Sequence, residues 1–370
     1  MARARVTFGL AAGLLAGVAA VFLLSGTTTT PEWSTPFVVY PPNSSCSAFY
    51  PRFIQLPDGA ILASYDVKRP GLPTSLELSR STDGGRTWRR VGTIRRSSLD
   101  VANGHLALYK GVLYCSYREV ANGTYRIGLS KSSDGGLTWT YVCTIRSGHR
   151  GLWEPFLLPV ADRLMVFYSS EEKSPRLPQT IDVQESRDGT HWSQPRTAVS
   201  SPTSRDGMPS LVVSELGDLL MVFESTEEGR FALSFATSSD GGRTWSRRVL
   251  YRARDKRSAS APYICRIRSG RYAVSFQTDE DSESPGIVGH ASAKVLVIGE
   301  GGRRIAGPWT VFEGGSVWNS LLVLSDGRTL FGTSTTQPGF SQVLVRLAEG
   351  RGDLKGSWPR YVPGRHWFLG

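Results

Sequence analysis

Two glutamates stand where a glutamate is costly. Glu154 lies in Gly151-Leu152-Trp153-Glu154-Pro155, and Glu224 ends the apolar run Met221-Val222-Phe223-Glu224. A carboxylate closing such a strand is expensive to bury unless it is paired or used. Two carboxyls facing one pocket can divide the work of glycosidic cleavage, one protonated as acid, the other ionised as nucleophile or base. The bland alternative is a rim carboxylate paired with Arg52, Arg118 or Arg205. Asp66, Glu119, Glu171, Asp206 and Asp279 compete for the same role, and one or two of them are expected to tune the pair or hold substrate.

The two glutamates are far apart in the chain, so the fold must bring them together. An octet organises that fold. Ser81-Thr82-Asp83-Gly84-Gly85-Arg86-Thr87-Trp88 recurs over 132–139 and 238–245, with a shortened copy over 186–192. Its Asp accepts hydrogen bonds from backbone N–H groups just downstream, the Gly pair supplies positive φ, and the Trp packs back on the unit it closes. The motif therefore reads as structural; the alternating acidic ligands of a calcium loop are missing. A second repeat lies beneath it. Hairpin turns at Asp58-Gly59, Lys110-Gly111, Ala161-Asp162, Gly217-Asp218, Ser269-Gly270 and Asp326-Gly327 recur at 51- to 57-residue steps. Each is flanked by short apolar strands, and the octet falls between the third and fourth strands of units one to four. Six units of four strands predict an all-β, six-bladed β-propeller of four-stranded antiparallel blades. Pro36–Tyr40 is expected to complete the last blade beside Ser341–Leu347.

In a propeller the residues before each first strand and after each second strand meet on one rim, and such a mouth suits a small-molecule site. Counting back from the turns places Pro51, Asn103, Glu154, Pro209, Pro262 and Asn319 at the starts. The ends are Asp66, Arg118, Ser169, Glu224, Gln277 and Ser334. One glutamate appears in each set, in adjacent blades. Arg52, Asn103, Trp153, Arg205, Asp206, Tyr263, Trp318 and Asn319 are the expected substrate-binding residues, the aromatic faces suiting sugar stacking. The octets fall at the opposite end.

The 370 residues are 40% hydrophobic with 40 Gly, ample for a large core, and carry a net charge of +11. The arginines are scattered, with no dense basic run, so nucleic acid is not an expected partner. Residues 1–26 read as a basic n-region followed by an apolar run, a secretory signal or an uncleaved membrane anchor. Residues 27–35 read as a linker and 36–370 as one propeller domain. The protein is therefore expected to be extracellular, with membrane contact only through an uncleaved anchor. The sequons at Asn43 and Asn122 fit that route. Cys46, Cys115, Cys143 and Cys265 permit two disulfides, with Cys115–Cys143 the first expectation. No His/Cys cluster has metal-ligand spacing, and no cofactor is expected.

The octets resemble the Asp-boxes of the sialidase superfamily. Tyr50-Pro51-Arg52 is similar to that superfamily's first arginine motif, but Tyr263 and Asn319 stand where further arginines would be needed, which argues against a sialidase. Tyr50-Pro51-Arg52-Phe53, Gly151–Pro155, Arg205-Asp206-Gly207-Met208-Pro209, Val222–Ser225 and Ala261-Pro262-Tyr263-Ile264 more closely resemble glycoside hydrolase family 93. That resemblance implies a retaining exo-1,5-α-L-arabinanase releasing arabinobiose from linear arabinan, a side chain of pectin. Glu154 would be the acid/base and Glu224 the nucleophile, in a chain acting as a monomer. An exo-glycosidase of this shape with another substrate, and a non-catalytic sugar-binding propeller, are the alternatives.

Overall fold

A computed structural model describes residues 30–348, apart from 42, 43, 228, 269 and 288. The described residues form 24 strands in six four-stranded antiparallel sheets. Blades one to five are meanders over 47–95, 100–148, 152–199, 206–251 and 259–312. Blade six takes 316–348 and borrows Phe37–Tyr40 as its outer strand, with Phe37 opposite Val345 and Val38 opposite Leu344. One blade thus holds both ends of the ring, as expected. Trp33 adds to the closure, its ring edge-on to Phe331 at 5.8 Å between centroids.

The repeat puts an aromatic near the end of each second strand: Tyr65, Tyr117, Tyr168, Phe223 and Phe276, with Thr333 in blade six. All six are fully buried. Burying each ring contributes about 1.5–3 kcal/mol as an upper estimate. The tyrosine hydroxyls find partners on the neighbouring third strand, Tyr65 with Ser79 at 2.6 Å and Tyr117 with Ser130 at 2.8 Å. The core lies between the blades. Leu62, Leu76 and Leu78 of blade one, for instance, pack on Leu106, Leu113 and Tyr117 of blade two.

The octets turn between third and fourth strands and repeat one geometry. In the first, Asp83 Oδ1 accepts the N–H groups of Arg86 and Thr87 at 3.0 and 2.9 Å, and Oδ2 accepts the Thr87 hydroxyl at 2.6 Å. Trp88 Nε1 donates to the Gly85 carbonyl at 2.9 Å. Gly85 takes φ 92° where a Cβ would lie 2.7 Å from Leu330 of blade six, so the position demands glycine.

Two sequence expectations fail or fall outside. All four cysteines are free thiols. Cys115 lies on the second strand of blade two and Cys143 on the fourth, with the third strand between them. Two interstrand steps put them roughly 9–10 Å apart, beyond the ~7 Å limit for a bridge. Residues 1–29, with the expected signal or anchor, and Asn43 lie outside the described residues. Asn122 is exposed, in the turn joining the second and third strands of blade two.

Candidate active site

Every inner strand breaks register at the same height, and that of blade five breaks a second time at Arg266/Arg268. The breaks fall at Phe49/Arg52, Ala102/His105, Trp153/Phe156, Gly207/Ser210, Ser260/Tyr263 and Val317/Ser320. Each bulge holds one non-glycine residue at positive φ: Tyr50 at 57°, Asn103 at 60°, Glu154 at 44°, Met208 and Ala261 at 49°, Trp318 at 54°. Outside Asn, that conformation costs about 1–2 kcal/mol per residue. The bulge corrects the register read from the turns. The counterparts of Glu154 are Tyr50, Met208, Ala261 and Trp318, one residue before Pro51, Pro209, Pro262 and Asn319.

The strain is held from the neighbouring blade. The residue after each second-strand aromatic position accepts the N–H of the next blade's bulge residue. Ser334 Oγ takes Tyr50 N–H at 3.0 Å, and the Asp66 carboxylate takes Asn103 N–H at 2.9 and 3.1 Å. Ser169 Oγ takes Met208 N–H at 3.0 Å, Glu224 Oε2 takes Ala261 N–H at 2.9 Å, and Gln277 Oε1 takes Trp318 N–H at 2.7 Å. The two rim sets therefore interlock. At the remaining joint, between blades two and three, the position holds Arg118, which has no acceptor to offer.

Inside this ring lies a recess of about 220 Å³, counting its open mouth, walled by Tyr50, Arg52, His105, Glu154, Phe156 and Tyr263 among others. Arg52, His105 and Tyr263 occupy one register position, two residues past the bulges of blades one, two and five. Arg52 is 4% exposed. Its Nη1 donates to the Pro51 carbonyl at 2.7 Å and to those of Trp318 and Asn319 at 3.3 Å. The guanidinium lies 3.7 Å from the Tyr50 ring centroid and 5.1 Å from that of Tyr263. His105 Nδ1 accepts Leu157 N–H at 3.2 Å, leaving Nε2–H toward the Tyr263 hydroxyl at 3.4 Å. Burial, with the Arg52 charge, pushes His105 down to about 3, so it is neutral.

The carboxyls differ in what surrounds them. Ser169 Oγ already accepts Met208 N–H, so its own hydrogen goes to Glu154 Oε2 at 3.0 Å. Burial, and then the charge of Glu224, push Glu154 up to about 7; Ser169, Arg205 and Arg118 restrain the rise. Burial raises Glu224 as well, opposed by Ala261 N–H and by Arg205, whose Nη1 lies 3.7 Å from Oε1. Asp66, 5% exposed, is pushed up to about 7 by burial despite its two contacts with Asn103 N–H. One carboxyl thus stays protonated near neutrality while its neighbour is braced by a backbone donor and a cation. Such a pair can give a proton and supply a negative group to one bound molecule.

Of the residues expected from the sequence, Glu154, Glu224, Arg52, Arg205 and Tyr263 come together. Asn103, Trp153 and Trp318 stand on the rim, partly exposed. Asp206 and Asn319 do not reach the recess. Asp206 is fully buried and holds Arg247 at 2.9 Å and the Ser225 hydroxyl at 2.7 Å. Asn319, one residue beyond its bulge, is fully buried and accepts the Thr333 hydroxyl at 2.7 Å. Glu119 pairs with Arg95 at 2.8 Å, and Asp279 accepts two loop N–H groups, so neither competes. Sequence reasoning missed His105 and Phe156, and it named Tyr50 and Ser169 without giving either a role at the site. The turns gave little signal for His105, which lies six residues before Gly111, whereas Arg52 and Tyr263 lie seven before Gly59 and Gly270.

Comparison places these features among known proteins. A family model described as a BNR repeat-like domain matches residues 19–274. A sequence comparison with curated proteins returns no match. Among solved structures, an α-L-arabinanase of Penicillium chrysogenum complexed with arabinobiose is 23% identical. It aligns over 86% of this chain and 98% of its own, with a TM-score of 0.71. An α-L-arabinofuranosidase of Fusarium graminearum, in complex with an iminosugar inhibitor, is 18% identical over 85% and 98%, with a TM-score of 0.70. A protein of unknown function from Dyadobacter fermentans is 14% identical over 86% and 99%, with a TM-score of 0.69. At these identities the likeness establishes the fold.

Proposed function

The chain belongs to the family of BNR repeat-like domain proteins, and from that premise we propose that it is a retaining exo-glycosidase of linear arabinan. The observation that carries the reading is the Glu154–Glu224 pair: two enclosed carboxyls on adjacent blades, one pushed up to about 7, the other braced by Ala261 N–H and Arg205. Glu224 attacks the anomeric carbon while Glu154 protonates the departing oxygen. Glu154 then takes a proton from the water that releases the sugar. The rise of Glu154 suits both halves of the cycle, since an acid near the working pH gives and regains a proton readily. Arg52, Tyr50 and Tyr263 offer a stacked cation and ring faces to a small sugar. Arabinan as the polymer is supported by the like-folded arabinanase whose structure holds arabinobiose. The enzyme acts outside the cell as a single chain, its charge of +11 favouring an acidic pectic matrix.

The test is turnover of linear arabinan by the wild type, Glu224→Gln and Glu154→Gln. Glu224→Gln loses ~10³-fold or more in kcat, and Glu154→Gln about 10²–10⁴-fold. Turnover that survives both substitutions removes the site; a wild type inert on arabinan removes the substrate.

A further inference from the structure

The ring of interlocked bulges has one exception, and it falls beside Glu154. At five joints the residue after the second-strand aromatic position accepts a backbone N–H from the next blade. At the sixth that residue is Arg118, and the bulge opposite it carries Glu154. A guanidinium is a pure donor, so here the ring gives up its clasp for a cation.

That cation is fixed but uncommitted. Its carbon lies 5.0 Å from the Trp153 ring centroid. Trp153 is itself held edge-on to Tyr125 at 5.1 Å, with its Nε1 donating to Glu171 Oε1 at 3.1 Å. Among the described residues no carboxylate lies within ion-pair distance of Arg118, and no group accepts a hydrogen bond from it. Its Nε is buried and unpartnered. An unpaired, half-buried arginine carries donors that only something outside the protein can satisfy.

Its place in the ring says what that is. Arg118 belongs to blade two, Glu154 to blade three, and Glu224 with its brace Arg205 to blade four. In a displacement the leaving group departs from the side opposite the nucleophile, past the acid. We propose that Arg118 binds the sugar on the leaving side of the scissile bond, its fork donating to the hydroxyls of a neutral furanose beside Trp153. This rests on the assignment of Glu154 and Glu224 made above.

Arg118 does not stand alone beside the acid. Glu154 also faces Glu224 and Arg205 from blade four and Ser169 from its own blade, and shares the recess with His105 from blade two and Tyr50 and Arg52 from blade one, while the charge of Arg118 also acts on Asp66. A substitution of Arg118 therefore moves the titration of Glu154 too, and each variant is compared at the plateau of its own pH profile. The experiment measures kcat/KM of wild type, Arg118→Gln and Arg118→Lys on short linear arabinan oligosaccharides and on an aryl arabinoside. The aryl substrate has no leaving sugar. Glutamine already serves at this ring position in blade five, as Gln277, and lysine keeps the charge while losing the planar fork. Either variant lowers the ratio of oligosaccharide to aryl kcat/KM by about tenfold or more, the loss expected for a hydrogen bond from a charged donor. Equal losses on both substrates, or an unchanged ratio, overturn the assignment while leaving the catalytic pair standing. A wild type inert on both substrates overturns the catalytic reading and this proposal together.

Discussion

Two glutamates with the same intrinsic chemistry receive different roles from single neighbours. Glu154 is offered one hydroxyl by Ser169 and faces a second carboxylate. Glu224 is offered a backbone N–H and stands near Arg205. A nucleophile must be ionised, and Arg205 favours that form of Glu224. Arg205→Ala therefore raises the Glu224 pKa, so the acidic limb of the kcat/KM profile moves to higher pH. The alkaline limb moves the same way, because Arg205 also restrains Glu154. A bell whose acidic limb stays fixed or moves down assigns the ionised nucleophile to another group, Asp66 first among them. The residue types and their place on adjacent blades were legible in the sequence. The division of labour was not, because it depends on Ala261 N–H and Ser169 Oγ, which reach the carboxyls only after the blades have packed.

The elements explain why some readings carried further than others. Turn positions were legible because a tight hairpin needs residues such as Gly, Asn or Asp at fixed places, and six such places gave the blade count. The bulges were not, since an extra residue in one strand leaves no mark of its own in a run such as Met208-Pro209-Ser210. Missing them shifted four of six rim positions by one and put Asn319 on a surface it never reaches. The expected Cys115–Cys143 bridge failed for a related reason: sharing a blade does not make two strands neighbours. The octets are the opposite case, local enough to be read whole. Asp240 repeats the Asp83 pattern, accepting Arg243 N–H at 2.8 Å and the Thr244 hydroxyl at 2.6 Å. These bonds join residues three and four apart, at the end of the blade away from the recess. Asp240→Ala therefore lowers Tm by a few degrees and leaves kcat/KM of the folded protein near the wild-type value. A folded, inactive Asp240→Ala protein would show that the two ends of the blade are coupled.

Across the whole molecule, the axis of the ring gathers groups that the fold would rather keep neutral. Arg52 is charged and buried there, His105 is held neutral, and Asp66 and Glu154 are both pushed up to about 7. Closure of six blades takes these side chains largely out of bulk water, and stability elsewhere must offset their desolvation. The consequence is a pH dependence of folding whose sign can be worked out. Glu154 titrates near 4.5 when unfolded and near 7 when folded. Between those values the folded chain keeps a proton that the unfolded chain has released, so the Glu154 contribution falls as pH rises through that window. Asp66 acts in the same direction from 3.8 to about 7. His105 acts against them, because the unfolded chain takes up its proton between 6.5 and about 3. Replacing Glu154 with Gln removes one of these contributions and leaves the others. The Tm of Glu154→Gln should lie nearest the wild type at pH 5, just above the unfolded value of 4.5, and pull ahead of it by a few degrees more at pH 8. Thermal melts of the two proteins from pH 5 to pH 8 decide it. A Tm difference that stays flat, or that favours the wild type as pH rises, would mean that the folded protein stabilises the Glu154 carboxylate instead of burying its acid form, and the assignment of Glu154 as acid would go with it.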